Sequence, residues 1–343
     1  MKPATAAALV RSGQLGVLLA LPRTLRGYYR VCFLGGAASC GLLGRLAAGP
    51  VPLERLVPDL APGPGGRDGL AAWLDFGVRL GELAVGPQGY RLRSRLARRL
   101  SEPANDAVAA LIEEAARLHH SWVADAPAHL RAGRRFTMAD QDGALVARSS
   151  RILAPFIGEA VDACVPRRGP LRLLEVGCGS GVHLKRAAER NPELTALGLD
   201  LQADAAAQAR ENMRAWGLDG RVRIEVGDVR ARRPEPAFDL VTLHNVLNYF
   251  PVSERVSVLA HLRGFLAPGG RLLVSLACRG RSVTTELLNL WGALTEGCGP
   301  LPTPAELEAQ LGAAGYGRVR RWGLVPGEPF LAFVAPCDAG SLR

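Results

Sequence analysis

The second half of the chain alternates short apolar runs with longer segments of helical periodicity, which is typical of an α/β domain. Short runs rich in leucine and valine and bounded by turn residues predict central parallel strands. We predict such strands at 171–176, 194–199, 222–226, 238–243 and 271–276 and a final antiparallel pair at 318–322 and 330–334. The segments with helical periodicity are 182–190, 203–216, 283–294 and 305–314.

The first third of the chain shows a different pattern, in which short helices precede a hairpin. Helices are predicted at 31–46, 51–60 and 67–78, and short strands at 83–85 and 90–92. This order is typical of a winged helix. A DNA-binding helix of that kind carries side chains that read bases, whereas the segment 67–78 is apolar, so burial explains it better. Farther along, we expect a helix at 104–118, a loop at 136–148 and a helix at 149–165.

The turn after the first strand of the predicted sheet carries the clearest chemical signal. It reads Glu175-x-Gly177-x-Gly179-x-Gly181 and opens directly into a predicted helix. Dinucleotide-binding turns use G-x-G-x-x-G to hold a pyrophosphate, and an acid before the first glycine would repel that group. An acid beside free helix N–H groups instead suits a ligand with a cationic part. Asp200 ends the next strand, where such folds bind ribose hydroxyls; a helix cap is the alternative.

The motifs at the strand ends, taken in order, resemble those of the class I S-adenosylmethionine-dependent methyltransferases from residue 171 to about residue 334. They are the glycine turn, Asp200, Gly227-Asp228-Val229, His244-Asn245 and Leu266-Ala267-Pro268-Gly269-Gly270. The resemblance implies an α/β fold with a Rossmann-like, seven-stranded methyltransferase sheet. It also implies S-adenosylmethionine as the cofactor, with S-adenosylhomocysteine as its product and no metal.

The same resemblance implies a role for each residue of the cofactor site. The glycines would lie under the methionine part of the cofactor, Glu175 near its ammonium group and Asp200 on the ribose. At the adenine we expect Asp228 and Val229, and at the sulfonium Leu243 and His244. The full expected set is Glu175, Gly177, Gly179, Gly181, Asp200, Leu201, Asp228, Val229, Leu243 and His244.

The first third resembles, in its order of elements, the N-terminal dimerisation domain of small-molecule O-methyltransferases. This resemblance implies a homodimer in which long helices lead into the catalytic domain. We therefore expect a mainly α, winged-helix-like domain at 1–103, connecting helices at 104–165 and a class I methyltransferase domain at 166–343. The candidate substrate contacts are Trp122, Tyr249, Glu286, Asn289 and Trp291. For the helix at 283–294, a dimer contact is the alternative.

The residue expected to act as catalytic base is missing. O-methyltransferases of the resembling family carry a histidine after the fourth strand, in a motif like N-V-L-H-D-W, and the corresponding residue here is Asn248. Asparagine can orient a substrate but cannot take a proton near neutral pH. Three alternatives stay open: His244 is the base, His120 reaches in from the connecting helix, or the acceptor is an amine, thiolate, thioether or activated carbon that needs no base.

Composition narrows the class of protein further. The 343 residues carry a formal charge of +10, but only Lys2 and Lys185 among the 42 basic residues are lysines, which indicates coding bias more than a nucleic-acid surface. The seven cysteines form no C-x-x-C pair, so we expect neither a metal site nor a disulfide framework. Residues 1–50 contain no acid, which fits an arm packed on a second subunit or a helix on a membrane surface.

These observations predict a cytoplasmic, homodimeric enzyme without a membrane span. It would transfer a methyl group to a small-molecule acceptor, largely through proximity and orientation. Two alternatives belong to other classes. A nucleic-acid methyltransferase would need the arginine cluster at 91–99 as its binding surface, and a regulator that binds the cofactor without catalysis is permitted by the loss of the histidine.

Overall fold

The computed structural model describes residues 2–235, 237–280 and 282–337. It divides the chain into two compact units, Met1–His120 and Ser121–Arg343. The predicted division into parts at 1–103, 104–165 and 166–343 stays a prediction, and its outermost residues, 1 and 338–343, lie outside the described residues.

The first unit consists of helices and one hairpin, and five of its helices precede the hairpin. Its elements are α1 (Pro3–Arg11), α2 (Gln14–Ser39), α3 (Leu42–Arg45), α4 (Leu53–Leu60), α5 (Gly66–Leu80), β1 (Leu83–Gly86), β2 (Gly89–Leu92), α6 (Arg95–Leu100) and α7 (Asp106–Glu114), which continues into a π-helical turn at Ala115–His119. The prediction of a winged-helix dimerisation domain stays a prediction.

The core of the first unit explains why α5 is apolar. Leu70, Leu74 and Leu80 on this helix are buried, and Gly77 makes room for the ring of Phe33, because a Cβ there would lie 2.2 Å from Phe33 Cζ. A buried carboxylate ties the hairpin to α2: Glu82 is 1% exposed and accepts a hydrogen bond of 2.5 Å from Arg30 Nε. The helix predicted to be buried is therefore buried.

The second unit is built on a seven-stranded sheet in the order β5-β4-β3-β6-β7-β9-β8. The first five strands in this order are parallel, and β9 and β8 are antiparallel to their neighbours. The strands are β3 (Leu171–Val176), β4 (Leu194–Asp200), β5 (Val222–Val226), β6 (Phe238–His244), β7 (Leu266–Ala277), β8 (Arg320–Gly323) and β9 (Phe330–Pro336). The predicted fold class is confirmed.

Helices cover both faces of this sheet. The helices from His120 onward are α8 (His120–Ala124), α9 (Ala126–Arg131), α10 (Gly143–Ser149), α11 (Ala154–Cys164), α12 (Val182–Arg190), α13 (Ala203–Ala215), α14 (Val252–Arg263), α15 (Val283–Leu294) and α16 (Pro304–Ala313). Leu173 packs in a cluster with residues of α11, α12 and α13, while Leu174 packs with residues of α14 and α16. Because the strands are buried on both faces, they read as continuous apolar runs.

Two local predictions were wrong. The segment 136–148 was expected to be a loop but contains most of α10, which begins after Asp142; the carboxylate of Asp142 accepts a hydrogen bond of 3.0 Å from the Leu145 amide, and Leu145 is buried. The segment Pro268–Gly270 was expected to precede the fifth strand, but β7 runs through it. Its pairing with β6 shifts register between Phe238 and Leu240, which accommodates the glycines as a bulge.

Within the described residues no single helix is long and apolar enough to cross a membrane. Taken together, α1 and α2 reach that length and composition, but the pair is bent by 89° where the two helices meet.

Candidate active site

The glycine turn after β3 is formed by three glycines with left-handed backbone conformation, and the environment of each differs. Their φ angles are 71°, 51° and 79° for Gly177, Gly179 and Gly181. A Cβ on Gly177 would lie 2.5 Å from Val246 Cγ2, and one on Gly181 would lie 2.4 Å from Met213 Cε. Gly179 has no atom within 4 Å of its missing Cβ. The open side of the turn is therefore at the middle glycine, where a ligand can approach the backbone closely.

Asp200, at the carboxyl end of β4, holds the turn in place. One carboxylate oxygen accepts a hydrogen bond of 2.8 Å from the Gly179 amide, and the other accepts one of 2.9 Å from the Gln202 amide. Each carboxylate oxygen has a second lone pair, so two acceptor positions remain for hydroxyl groups. Leu201 beside it is 66% exposed and thus offers an apolar surface. The ribose contact of Asp200 stays a prediction.

Glu175 is a buried acid without a complete set of partners. It is 1% exposed, and its Oε1 has no hydrogen-bond partner among the described residues. Burial and the negative charge of Asp200 raise the pKa of this carboxyl well above its usual value. A cation placed nearby would reverse that shift by favouring the charged form. An unpaired buried carboxyl beside an open glycine turn fits the ammonium group of an amino acid.

The predicted adenine contacts, Asp228 and Val229, lie in the turn after β5. Asp228 forms an ion pair of 2.7 Å with Arg230, which also pairs with Glu254 at 3.0 Å. The Arg230 guanidinium lowers the pKa of Asp228. Val229 is buried, and its carbonyl lies 2.9 Å from His261 Nε2. Asp228 is therefore charged and keeps a fixed position.

His244 ends β6 beside the buried Leu243. Its side chain is buried, and neither ring nitrogen has a hydrogen-bond partner among the described residues. Burial and the nearby His183 lower the pKa of His244 well below its usual value. A general base must accept a proton, and a buried imidazole with a lowered pKa does so poorly. The burial of His244 thus disfavours a role as general base, and its contact to the cofactor stays a prediction.

Asn248 lies in the turn after β6 and is fully buried. Neither atom of its side-chain amide has a partner among the described residues, while its backbone carbonyl accepts a hydrogen bond of 3.0 Å from the Gly299 amide. Buried amides are almost always hydrogen-bonded. An orphaned amide at the position of the expected base is consistent with a contact to a ligand.

Three predicted substrate contacts form an aromatic cluster. The Trp291 ring centroid is 5.2 Å from that of Tyr249 and 5.8 Å from that of Trp122. Trp291 and Trp122 are almost completely buried, while Tyr249 is half-buried. The cluster therefore shapes the wall beside Asn248 mainly through packing, with Tyr249 as its most accessible member.

The polar pair predicted on α15 is bonded within the protein. Glu286 accepts hydrogen bonds from Asn289 Nδ2 at 3.2 Å and from the Gly280 amide at 3.3 Å. Asn289 Oδ1 accepts one of 3.0 Å from the Leu301 amide. These bonds join α15 to the neighbouring segments, so each side chain has a structural function whether or not it also contacts a substrate.

His120 belongs to the first unit. It is exposed, and its ring centroid lies 5.9 Å from that of Tyr28. Its proposed role in catalysis stays a prediction. The described residues contain no group of three or more histidine, cysteine, aspartate or glutamate side chains placed to hold a metal ion.

The sequence analysis assigned no role to three residues that support the site. Asn245 is the one non-glycine residue with positive φ, at 58°, in the described chain, and its amide donates a hydrogen bond of 2.6 Å to the Ser275 carbonyl. Arg255 is buried and donates to the carbonyls of Phe250 at 3.2 Å and Pro300 at 2.7 Å, which fixes the segment after Asn248. Burial lowers the pKa of Arg255 to about 10. The third residue is His183, whose ring centroid lies 4.7 Å from that of His244. Asn245 had a recognisable signal, since asparagine tolerates this conformation better than most residues.

Comparison with known proteins agrees with this geometry. A family described as a methyltransferase domain matches residues 174–272. A trans-aconitate 2-methyltransferase from Methylobacterium nodulans is 38% identical over 33% of this chain and 41% of its own length. The N,N-dimethyltransferase OxyT from Streptomyces rimosus is 27% identical over 86% of this chain and 89% of its own. The match therefore spans about two fifths of the first relative and most of the second.

Solved structures match nearly the whole fold. The mitomycin 7-O-methyltransferase MmcR superposes with a TM-score of 0.77 at 19% identity, over 95% of this chain and 99% of that one. Human N-acetylserotonin methyltransferase, solved with S-adenosylmethionine, gives a TM-score of 0.73 at 18% identity, over 94% and 98%. At these identities the likeness establishes the fold alone. The predicted methyltransferase domain is confirmed, and the nucleic-acid and regulator alternatives are not favoured.

Proposed function

We propose that this chain, which contains a methyltransferase domain of the class I S-adenosylmethionine-dependent fold, methylates a small-molecule nucleophile that needs no protein base. The observation that carries the proposal is the combination of a donor-side arrangement with an acceptor side where Asn248 takes the place of the expected base. Glu175, the glycine turn and Asp200 fit the donor. Asn248 cannot take a proton, and burial disfavours the protonated form of His244.

The donor side would be bound through three kinds of group. Glu175 would accept hydrogen bonds from the ammonium group, Asp200 would accept them from the ribose hydroxyls, and Asp228 would accept one from the adenine amine. When bound, S-adenosylmethionine supplies a methyl group on a positively charged sulfur. The residues of this chain then hold the acceptor in line with that methyl group and exclude water, which can lower the barrier by many kcal/mol.

An amine nitrogen is the acceptor that best fits these residues. An unprotonated amine already carries the lone pair that attacks, so its proton can pass to water after transfer. An alcohol or phenol must lose a proton for the attack, and a base normally assists it. The unpartnered Oδ1 of Asn248 can accept a hydrogen bond from an amine N–H and orient its lone pair. The relative that is matched over most of its length, OxyT, is named as an N,N-dimethyltransferase.

The proposal is tested with matched amine, phenol and thiol versions of the same small scaffolds. Purified protein is incubated with methyl-labelled S-adenosylmethionine, and the products are separated by chromatography. We expect label on amines, with a rate that rises with pH in step with the unprotonated fraction of each amine. Transfer to phenols alone, with a bell-shaped pH profile, would indicate a protein base and refute the proposed acceptor class.

The proposal includes a homodimer located in the cytoplasm. Large apolar side chains at the start of α2, namely Val17, Leu18, Leu19 and Leu21, are 44–68% exposed. A surface of this kind normally marks an interaction site. Sedimentation equilibrium should give a dimer for the native chain and a monomer for Leu18→Glu, whereas a monomer in both would refute the dimer.

A further inference from the structure

The indole nitrogen of Trp291 is a buried hydrogen-bond donor without a partner. Trp291 is 1% exposed, and its Nε1 has no hydrogen-bond partner among the described residues. An indole N–H can only donate, and buried polar groups are almost always paired. Glu286 and Asn289 on the same helix, by contrast, are bonded within the protein. An acceptor atom from a ligand or a water molecule is therefore needed to pair the Trp291 donor.

Trp291 lies beside Asn248, whose buried amide also has no partner among the described residues. The Gly299 amide donates a hydrogen bond of 3.0 Å to the Asn248 carbonyl, and a Cβ on Gly292 would lie 2.4 Å from the Gly299 carbonyl oxygen. The Trp291 ring also contacts the ring of Tyr249, the residue after Asn248, at a centroid distance of 5.2 Å. The indole donor and the orphaned amide thus lie in one region of the fold.

Packing and a hydrogen bond hold the indole in place. Thr295 is fully buried and donates a hydrogen bond of 2.7 Å from Oγ1 to the Trp291 carbonyl. The rings of Trp122 and Tyr249 both contact the Trp291 ring. A ligand that pairs a fixed, buried donor is strongly favoured, because every other ligand leaves that donor without a partner.

We propose that the Trp291 N–H donates a hydrogen bond to a carbonyl oxygen of the acceptor, so that the preferred acceptors are planar amines with a carbonyl group on the same conjugated scaffold. The inference rests on the proposed function and names its substrate class. Asn248 Oδ1 accepts from the amine, Trp291 donates to the carbonyl oxygen, and the flat scaffold packs against the aromatic cluster. An amine without the carbonyl leaves the indole donor unpaired and is a poorer substrate.

The first test compares acceptors that differ only in the carbonyl group. The three ring isomers of aminoacetophenone carry an acetyl group on an aniline, and the matching ethylanilines have an ethyl group of similar shape in its place. Purified protein and methyl-labelled S-adenosylmethionine give kcat/KM for each probe, in the native chain and in Trp291→Phe. The quantity compared is the ratio of kcat/KM for an aminoacetophenone to that for its ethylaniline. The intrinsic difference in nucleophilicity between the two amines is the same in every variant and cancels.

The matched control is Trp122→Phe, which changes the same kind of side chain in the same cluster. Trp122 is 4% exposed, but its indole nitrogen is not one of the buried atoms without a partner. In Trp291→Phe we expect the ratio to fall about fivefold to tenfold for the best ring isomer, as for one lost hydrogen bond. In Trp122→Phe the ratio should stay at its native value.

A second measurement observes the donor directly and needs no turnover. The chain has five tryptophans, so ¹⁵N labelling gives five indole N–H resonances. The Trp291 resonance is identified from Trp291→Phe or, by elimination, from Phe variants of the other four. With S-adenosylhomocysteine bound, we expect the best aminoacetophenone to shift the Trp291 proton resonance downfield and to slow its exchange with solvent. The matching ethylaniline should do neither.

Two results would overturn the assignment of Trp291. One is an equal loss of kcat/KM for both kinds of probe in Trp291→Phe, which would indicate a packing role alone. The other is a Trp291 resonance that no carbonyl probe changes, which would indicate that the indole pairs with water only. Failure of the proposed function is distinct from both. If the native protein methylated phenols alone, the amine class would be refuted, and the same comparison with hydroxyacetophenones and ethylphenols would decide the role of Trp291.

Discussion

The donor and acceptor sides of the active site are built in different ways. On the proposed donor side, the polar groups lie at or just beyond the carboxyl ends of β3, β4 and β5. Two of them are held by bonds to neighbouring residues: Asp200 by the Gly179 amide and Asp228 by Arg230. On the proposed acceptor side, the Asn248 side chain has no hydrogen-bond partner among the described residues, and the members of the aromatic cluster come from separate segments of the chain.

This difference explains which changes in sequence each side of the site can accept. A donor site fixed by strand ends depends on local backbone geometry and can be retained while acceptors change. An acceptor site formed by packing between elements changes whenever one helix or loop changes. In the proposed arrangement, the donor site is recognisable from motifs, and in the acceptor site Asn248 stands where the histidine is expected.

The largest effect is expected from Asp200→Ala. The change removes the hydrogen bond that holds the glycine turn at Gly179, the bond to the Gln202 amide and the proposed ribose contact, so donor affinity should fall about 100-fold. Calorimetry with S-adenosylhomocysteine measures this loss, with Asp200→Asn as the control that retains an acceptor oxygen. Unchanged affinity in Asp200→Ala would show that Asp200 does not contribute to donor binding, and the proposed difference between the two sides would then be wrong.

A large gain in the stability of the ligand-free protein is expected from Glu175→Gln. The native pKa of Glu175 lies above the unfolded value near 4.5, so ionisation destabilises the ligand-free fold increasingly as pH rises from about 4.5 through the native pKa. The variant lacks this penalty and should be more stable at pH 8 by about 1–3 kcal/mol, with a smaller difference at pH 5.

Thermal unfolding at the two pH values, without ligand, measures the stability effect of Glu175→Gln. Donor affinity should change in the other direction and fall about tenfold, since a neutral amide attracts an ammonium group less strongly. A variant that is less stable than the native chain at both pH values would show that Glu175 is paired in the folded state.

A smaller effect, confined to the acceptor side, is expected from Asn248→Ala. Turnover should fall about tenfold through the loss of one orienting hydrogen bond, while donor affinity stays the same. Steady-state kinetics and calorimetry on the same preparation separate the two quantities. An equal loss of both would mean that Asn248 supports the fold, with no separate role toward the acceptor.

The smallest effect is expected from Arg230→Gln. The ion pair of Arg230 with Asp228 is partly exposed, and such pairs contribute about 0–1 kcal/mol. Donor affinity should change by less than about fivefold, because 1 kcal/mol corresponds to roughly that factor. Titrations at low and high salt measure it. A loss well beyond that range would indicate that Arg230 itself contacts the donor.

Sequence alone predicted the sheet and the glycine turn well, for a physical reason, while the residue contacts of the donor side stay predictions. Strands buried on both faces give continuous apolar runs, and positive φ angles at Gly177, Gly179 and Gly181 require residues that a motif can display. The acceptor side depends on contacts between distant segments. The proximity of His183 to His244, the bonds of Glu286 and Asn289 to the backbone, and the short capped helix α10 leave no periodic signal.

The most direct test of the central claim follows a labelled methyl group from S-adenosylmethionine into a host-cell extract. The native protein and Asp200→Ala are incubated with the extract, which is then separated into small-molecule, nucleic-acid and protein fractions. We predict label in the small-molecule fraction with the native protein and almost none with Asp200→Ala. Label in RNA or DNA that is likewise lost in Asp200→Ala would contradict the account, because the arginine cluster at 91–99 would then be the candidate for an acceptor surface.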